Sequence, residues 1–301
     1  MIKGFLNYVE IMTKITSTFA FLLTIVFLYY LKQPINWTLT GLFFVIMFLF
    51  DLTTTAINNY IDTKHNGKTL PFRRSAALAI IFVLLGISVF LGLYLAYLTD
   101  FIVLLLGGLC FLCGIFYTFG PLPISRQPWG EVLSGVFYGF FIPFLLMYIN
   151  MPEGNYFSLE GNLNTITLQL QVFPILTVIL LAVVPTCTTA NIMLANNICD
   201  LEQDILVKRY TLPYYLGKKM SLYLFAALYY CTYLAVLFMV LMKILPPILL
   251  ISLVSIIPVQ KNINRFFEKQ IKEVTFITSI KNYITIMSTN TLLVFIAGLM
   301  R

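Results

Sequence analysis

Charge is what this sequence has least of: Asp, Glu, Lys and Arg make up 10% of its 301 residues, against 60% hydrophobic and 16% aromatic. A soluble domain of this length cannot cover that balance with polar surface, which excludes a water-soluble globule and makes a bilayer the expected solvent. Histidine is limited to His65, which falls in a polar stretch and reads as solvated rather than catalytic. Cysteine is nearly as sparse. Cys110, Cys113, Cys187, Cys199 and Cys231 mostly lie inside apolar runs, so no disulfide framework is expected. Cys110-x-x-Cys113, in mid-helix with neither a second pair nor histidines nearby, reads as packing. No basic aromatic module accompanies the net charge of +7. Nucleic acid is therefore not an expected partner, whereas anionic membrane lipid is.

What is abundant is long apolar runs. Nine of them, at about residues 15–33, 38–57, 76–97, 101–118, 131–150, 171–195, 220–242, 244–260 and 280–300, approach the roughly 20 residues that a helix needs to cross a bilayer. Each ends in charge, Pro, Gly or Asn. The expected fold is all-α, a polytopic bundle of about nine transmembrane helices, with residues 1–301 as one membrane domain. Phe5, Leu6, Tyr8 and Val9 precede the first run, and no small-residue cleavage pattern follows it, so that run is expected to remain in the mature protein.

Basic residues resist translocation, and their distribution sets the expected orientation. With nine spans, sixteen of the nineteen Lys and Arg fall on the side of the N-terminus and of the loops after the second, fourth, sixth and eighth spans, leaving only Lys32, Lys243 and Arg301 opposite. The expected location is a cell membrane, multi-pass, with the N-terminus and those loops cytoplasmic.

Ionisable groups near a membrane span are costly and point to function. They gather in two places on that same side. The second run ends in Asn58-Asn59-Tyr60-Ile61-Asp62, with Lys64 and Lys68 beyond it; the sixth ends in Asn196-Asn197-Ile198-Cys199-Asp200-Leu201-Glu202-Gln203-Asp204, with Lys208 and Arg209 beyond. Asn196, Asp200 and Asp204 are four apart, so on a helix they share a face, and two like charges there repel. A hard divalent cation with oxygen ligands offsets the repulsion, and magnesium characteristically combines one or two carboxylates with substrate phosphates. Asn58 and Asp62 repeat the spacing. Facing acidic helix ends with bases beyond them form a site for a diphosphate, whose departure leaves an allylic carbocation for an aromatic acceptor to attack. Surrounding Tyr, Phe and Met would shield that cation. A lone Asp, such as Asp51 or Asp100, reads only as a cap or a solvated residue.

These residues resemble the UbiA superfamily of intramembrane aromatic prenyltransferases, and within it the 1,4-dihydroxy-2-naphthoate prenyltransferases of menaquinone synthesis. The string Asn196 to Asp204, continued by Lys208-Arg209-Tyr210-Thr211-Leu212 and Leu216-Gly217, is similar to that branch's second signature. Tyr117-Thr118-Phe119-Gly120-Pro121-Leu122-Pro123 with Gly130-Glu131 is similar to its loop after the fourth helix. The first cluster departs from the pattern: Asn59 stands where the family has Asp, and Lys68 where a further Asp is often found.

The resemblance implies Asp62, Asp200 and Asp204 as magnesium ligands supported by Asn58 and Asn196. It implies Lys68, Lys208 and Arg209 as diphosphate partners, and Tyr117 in contact with carbocation or acceptor. It also implies transfer of a polyprenyl group from a polyprenyl diphosphate to a dihydroxynaphthoate-like acceptor, with decarboxylation to a demethylmenaquinone.

Two alternatives stand beside it: another prenyl acceptor, such as 4-hydroxybenzoate, a haem or a glycerol phosphate lipid, and a secondary transporter. A transporter would carry its site near the bilayer midplane rather than at helix ends. Among the remaining residues, Glu202 at i+2 from Asp200 turns away from the acidic stripe. Glu10 and Lys14 form a local pair at most. Residues 151–170 read as a surface connection, and Pro143, Pro174 and Pro185 as tolerated kinks.

Overall fold

The computed structural model describes residues 2–63, 69–120, 123–161 and 165–301. After a short helix α1 (Ile2–Tyr8), nine helices among the described residues are long and apolar enough to cross a membrane. They are α2 (Ile11–Tyr30), α3 (Trp37–Asp62), α4 (Arg74–Leu98), α5 (Phe101–Thr118), α6 (Gly130–Tyr148), α7 (Val172–Leu206), α8 (Leu212–Leu241), α9 (Pro247–Glu268) and α10 (Ile277–Met300). The protein is an all-helical, multi-pass membrane bundle. One small exception is an antiparallel hairpin, β1 (Phe157–Gly161) and β2 (Ile166–Leu170), pairing Phe157 with Leu170. It occupies the segment expected as a plain connection, anchored by Phe157 stacked on Tyr148 and by the buried Tyr156 against Phe144.

The apolar runs underestimate several helices. The run ending near 57 becomes a helix to Asp62, and the run ending near 195 continues to Leu206. Backbone hydrogen bonding does not stop where the hydrocarbon does, so both polar clusters lie on continuous helix. Start signals behave as local chemistry dictates: Asn36 accepts from Leu39 N, and Asp100 from Ile102 N and Val103 N, capping α3 and α5. Pro185 lies inside α7, Pro174 in its first turn, and Pro143 follows a π-helical stretch at Phe137–Phe141.

Burial in the bundle is that of a protein in lipid. α4 and α5 are largely uncovered, with Phe82, Phe90, Leu105 and Leu112 exposed. The main core lies among α2, α7, α8, α9 and α10, around Phe27, Leu194, Phe225, Tyr229, Phe266 and Tyr283. Close approach elsewhere relies on glycine. A Cβ on Gly139 of α6 would sit 2.2 Å from Thr186 N of α7, and one on Gly114 of α5 would sit 2.7 Å from the Phe50 ring of α3. α2 packs on α10 on one side and on α6 on the other. This arrangement leaves α2, α3, α4, α5, α6 and α7 around a cavity of about 1280 Å³.

Candidate active site

Asn58 and Asp62 occupy the last turns of α3, and Asn196, Asp200 and Asp204 the last three turns of α7; all five line the one cavity. The four-residue repeats therefore put both sets of oxygens on faces that meet across an open space. Below them the lining becomes aromatic and aliphatic, with Phe50, Phe111, Phe137 and Phe141 among its walls.

The α7 carboxylates each face a cation brought from another segment. Lys272, between α9 and α10, pairs with Asp200. Arg209 is folded back by a turn in which Lys208 takes a left-handed φ of 54° and Arg209 N donates to Asp204 O at 2.8 Å. Its guanidinium then lies 3.7 Å from Asp204 Oδ1 while Nε donates to the Ser125 carbonyl at 2.9 Å. Lys208 itself lines a smaller adjoining cavity of about 310 Å³ that shares Asp62, Asp204 and Arg209 with the large one. Lys68 and His65 lie outside the described residues. Glu202 is exposed and off the cavity, as its i+2 offset requires.

On α3 the amides hold the frame. Asn58 Oδ1 accepts from Thr118 Oγ1 at 3.2 Å, and Asn59 Nδ2 donates to Tyr8 O at 2.9 Å and to Glu10 Oε1 at 3.1 Å. Tyr117 lines the cavity with its hydroxyl buried and unpartnered, in space left by Gly130, where a Cβ would come within 3.3 Å of it. Asn197, between the stripe residues, points away and donates to the buried Glu131 at 2.8 Å, joining α7 to α6.

Asp51 corrects the sequence reading. It is neither a cap nor solvated but sits inside α3, 5% exposed, paired with Lys14 at 2.7 Å, and Lys14 is itself only 3% exposed. Ser17 donates to Asp51 Oδ2 at 2.6 Å and Tyr138 to Oδ1 at 2.8 Å. Lys14 therefore pairs across to α3 rather than with Glu10, one turn away. An acid in the middle of an apolar run was the available signal, and it demanded a partner. Lys272 was also missed; nothing in its loop distinguishes it from its basic neighbours.

Among the described residues no three His, Cys, Asp or Glu side chains converge as a metal cage. Magnesium does not require one, because it draws the rest of its octahedron from water and phosphate. The donors at the α3 and α7 ends of the cavity are oxygens, from Asn58, Asp62, Asn196, Asp200 and Asp204, and Asp204 Oδ2 is buried without a hydrogen-bond partner. That donor set fits a hard divalent cation.

Residues 18–278 match the UbiA prenyltransferase family. A curated relative, 1,4-dihydroxy-2-naphthoate octaprenyltransferase of Bacillus subtilis (strain 168), is 25% identical over 245 residues, covering 77% of this chain and 72% of the relative. Among solved structures, a digeranylgeranylglyceryl phosphate synthase superimposes with a TM-score of 0.67 at 17% identity, over 100% of this chain and 99% of that one. A UbiA homolog from Archaeoglobus fulgidus, bound to GPP and Mg2+, gives 0.57 at 13% identity, over 99% and 98%.

Proposed function

The chain belongs to the UbiA prenyltransferase family, enzymes that move a prenyl group from a prenyl diphosphate to an acceptor, and from that premise we propose a magnesium-dependent polyprenyl transfer to 1,4-dihydroxy-2-naphthoate, with decarboxylation to a demethylmenaquinone. Membership in an enzyme family removes the transporter alternative. One observation carries the site: the acidic ends of α3 and α7 open into a single cavity whose deeper walls are apolar. A diphosphate head and a hydrocarbon tail need that polarity gradient.

Asp62, Asp200 and Asp204, with Asn58 and Asn196, would hold the magnesium; a magnesium-dependent reaction is supported by the Archaeoglobus homolog bound to GPP and Mg2+. Bound there, the ion supplies positive charge against the leaving diphosphate. Arg209 and Lys272 reach the same space as cations for phosphate oxygens, Lys208 extends the basic rim, and Lys68 stands in the proposal as a further diphosphate partner. Phe50, Phe111, Phe137 and Phe141 exclude water and offer ring faces to the allylic cation, with Tyr117 at the same wall. The naphthoate acceptor is supported by the Bacillus relative and by the Asn196 to Asp204 string. The bias of Lys and Arg supports a cytoplasmic site in a cell membrane.

The test is a membrane-fraction assay with 1,4-dihydroxy-2-naphthoate and a radiolabelled polyprenyl diphosphate, with and without Mg2+, on wild type and Asp200→Ala. Metal-dependent prenylated product that disappears in the variant is expected. Diphosphate release without aromatic product would move the acceptor elsewhere, and neither release nor product with any chain length would overturn the reading.

A further inference from the structure

The buried group around Asp51 is not accounted for by diphosphate chemistry. Seven residues separate Asp51 from Asn58 on α3, about 10 Å along the axis, which places it deeper in the same cavity. An ion pair buried at this depth is expensive to form, and holding the fold together is a weak reason to keep one. All three Lys14 ammonium protons are committed: to Asp51 O at 2.9 Å, Asp51 Oδ1 at 2.7 Å and Thr55 Oγ1 at 2.5 Å. Lys14 therefore fixes the carboxylate and is not offered to a ligand. Ser17 occupies the other carboxylate oxygen.

Tyr138 lines the cavity together with this cluster and keeps hydrogen-bonding capacity that Lys14 and Ser17 have spent. Its hydroxyl has one proton and two lone pairs, and the proton is directed to Asp51 Oδ1 at 2.8 Å. Thr54 also lies against the hydroxyl, and the remaining lone pair can only accept. The backbone supplies a second, independent sign. Tyr138 stands in the π-helical stretch Phe137–Phe141, a costly irregularity found frequently at functional sites. Gly139 locks that stretch by bringing it against the Thr186 backbone with no room for a Cβ.

The geometry points to Tyr138 as the group that receives the aromatic acceptor: a hydrogen-bond acceptor, oriented by the Lys14–Asp51 pair, for a hydroxyl on the acceptor ring. The inference rests on the aromatic prenyl transfer proposed above and names what selects the ring. A ring hydroxyl donating to Tyr138 gains electron density for attack on the allylic carbon and is held below the diphosphate. A ring carrying an ether oxygen at that position has no proton to donate and sets its own lone pairs against the remaining lone pair of Tyr138, which penalises it. Lys14 and Asp51 are positioning residues in this scheme, because they act through Tyr138.

The experiment compares 1,4-dihydroxy-2-naphthoate with its two mono-methyl ethers, measuring alkylation and diphosphate release together, in wild type, Tyr138→Phe and the double variant Lys14→Met/Asp51→Leu. Wild type should alkylate one mono-ether about tenfold more slowly than the parent. Tyr138→Phe should lower the ratio of alkylation to release for the parent by about the same factor and abolish the discrimination. The double variant replaces the buried pair with apolar side chains and should lose the discrimination as well. Equal discrimination in wild type and Tyr138→Phe would overturn the inference, as would a parallel fall in alkylation and release, the mark of a purely structural role. Wild type that releases diphosphate but alkylates no aromatic ring would overturn the acceptor assignment and this inference together, an outcome distinguishable from the other two.

Discussion

The ends of α3 and α7 carry the same four-residue repeat of Asn and Asp, yet they do different work. On α7 both carboxylates are matched by cations from distant segments, Lys272 to Asp200 and Arg209 to Asp204, and Asp204 still keeps one buried oxygen without a partner. On α3 the amides are engaged in the frame, Asn58 with Thr118 and Asn59 with Tyr8 and Glu10, which leaves Asp62 as that cluster's single carboxylate. The duplicated sequence pattern is therefore structurally lopsided. The end of α7 concentrates negative charge and its counterions, and the end of α3 carries one carboxylate and a hydrogen-bonded frame.

On this asymmetry, removing an acid from α7 should cost more than removing the acid of α3. Asp204→Ala should lower prenyl transfer by about 10³-fold, since a buried charged ligand in a water-poor site is lost. Asp62→Ala should lower it by about 10²-fold and raise the Mg2+ needed for half-maximal rate. Initial rates over a Mg2+ series measure both. Equal losses, or a larger loss for Asp62→Ala, would mean that the half-sites are equivalent after all.

A sharper probe restores the family pattern on α3. Asn59→Asp adds a carboxylate where the resemblance expects one, but the side chain could no longer donate to the Tyr8 carbonyl and would confront Glu10. The expected result is no gain in activity or Mg2+ affinity. Stability should fall by roughly 1–3 kcal/mol, read as a drop of about 2 °C or more in the melting temperature of the detergent-solubilised protein. A variant that binds Mg2+ more tightly at unchanged melting temperature would show that Asn59 is a degraded ligand rather than a structural tie.

The contrast between the clusters also marks what was legible beforehand. The α7 stripe stood out because i, i+4 spacing is a local property of a helix and because polar residues are rare in this chain. Asp100 was legible as a cap for the same reason: its partners are two and three residues away. Asp51 was misjudged because its partners Lys14 and Tyr138 come from α2 and α6, and no local pattern records which charges meet in three dimensions. The π stretch around Tyr138 was equally hidden, since it follows from Gly139 packing on Thr186 and not from any run of residues. Helix ends were placed short wherever the helix outlasts the hydrocarbon, most of all on α7.

The smallest expected effect tests why Lys272 stands beside Asp200. Lys272 is partly exposed, so the pair is screened and contributes little to stability. Its value lies in charge compensation. The ammonium offsets the repulsion between Asp200 and Asp204; with diphosphate bound in the proposed site, the same ammonium would turn to a phosphate oxygen. Lys272→Ala should then push two quantities in opposite directions. Half-saturation by Mg2+ should fall, because a competing cation has gone, while KM for the prenyl diphosphate should rise by about three- to tenfold, the loss of one charge-assisted contact at a half-exposed site. The net change at saturating metal is a modest loss, and the opposed signs are the diagnostic. If both constants rise together, Lys272 supports the fold of the α9–α10 loop; if neither moves, the pair with Asp200 is incidental and the charge on α7 is balanced by Arg209 alone.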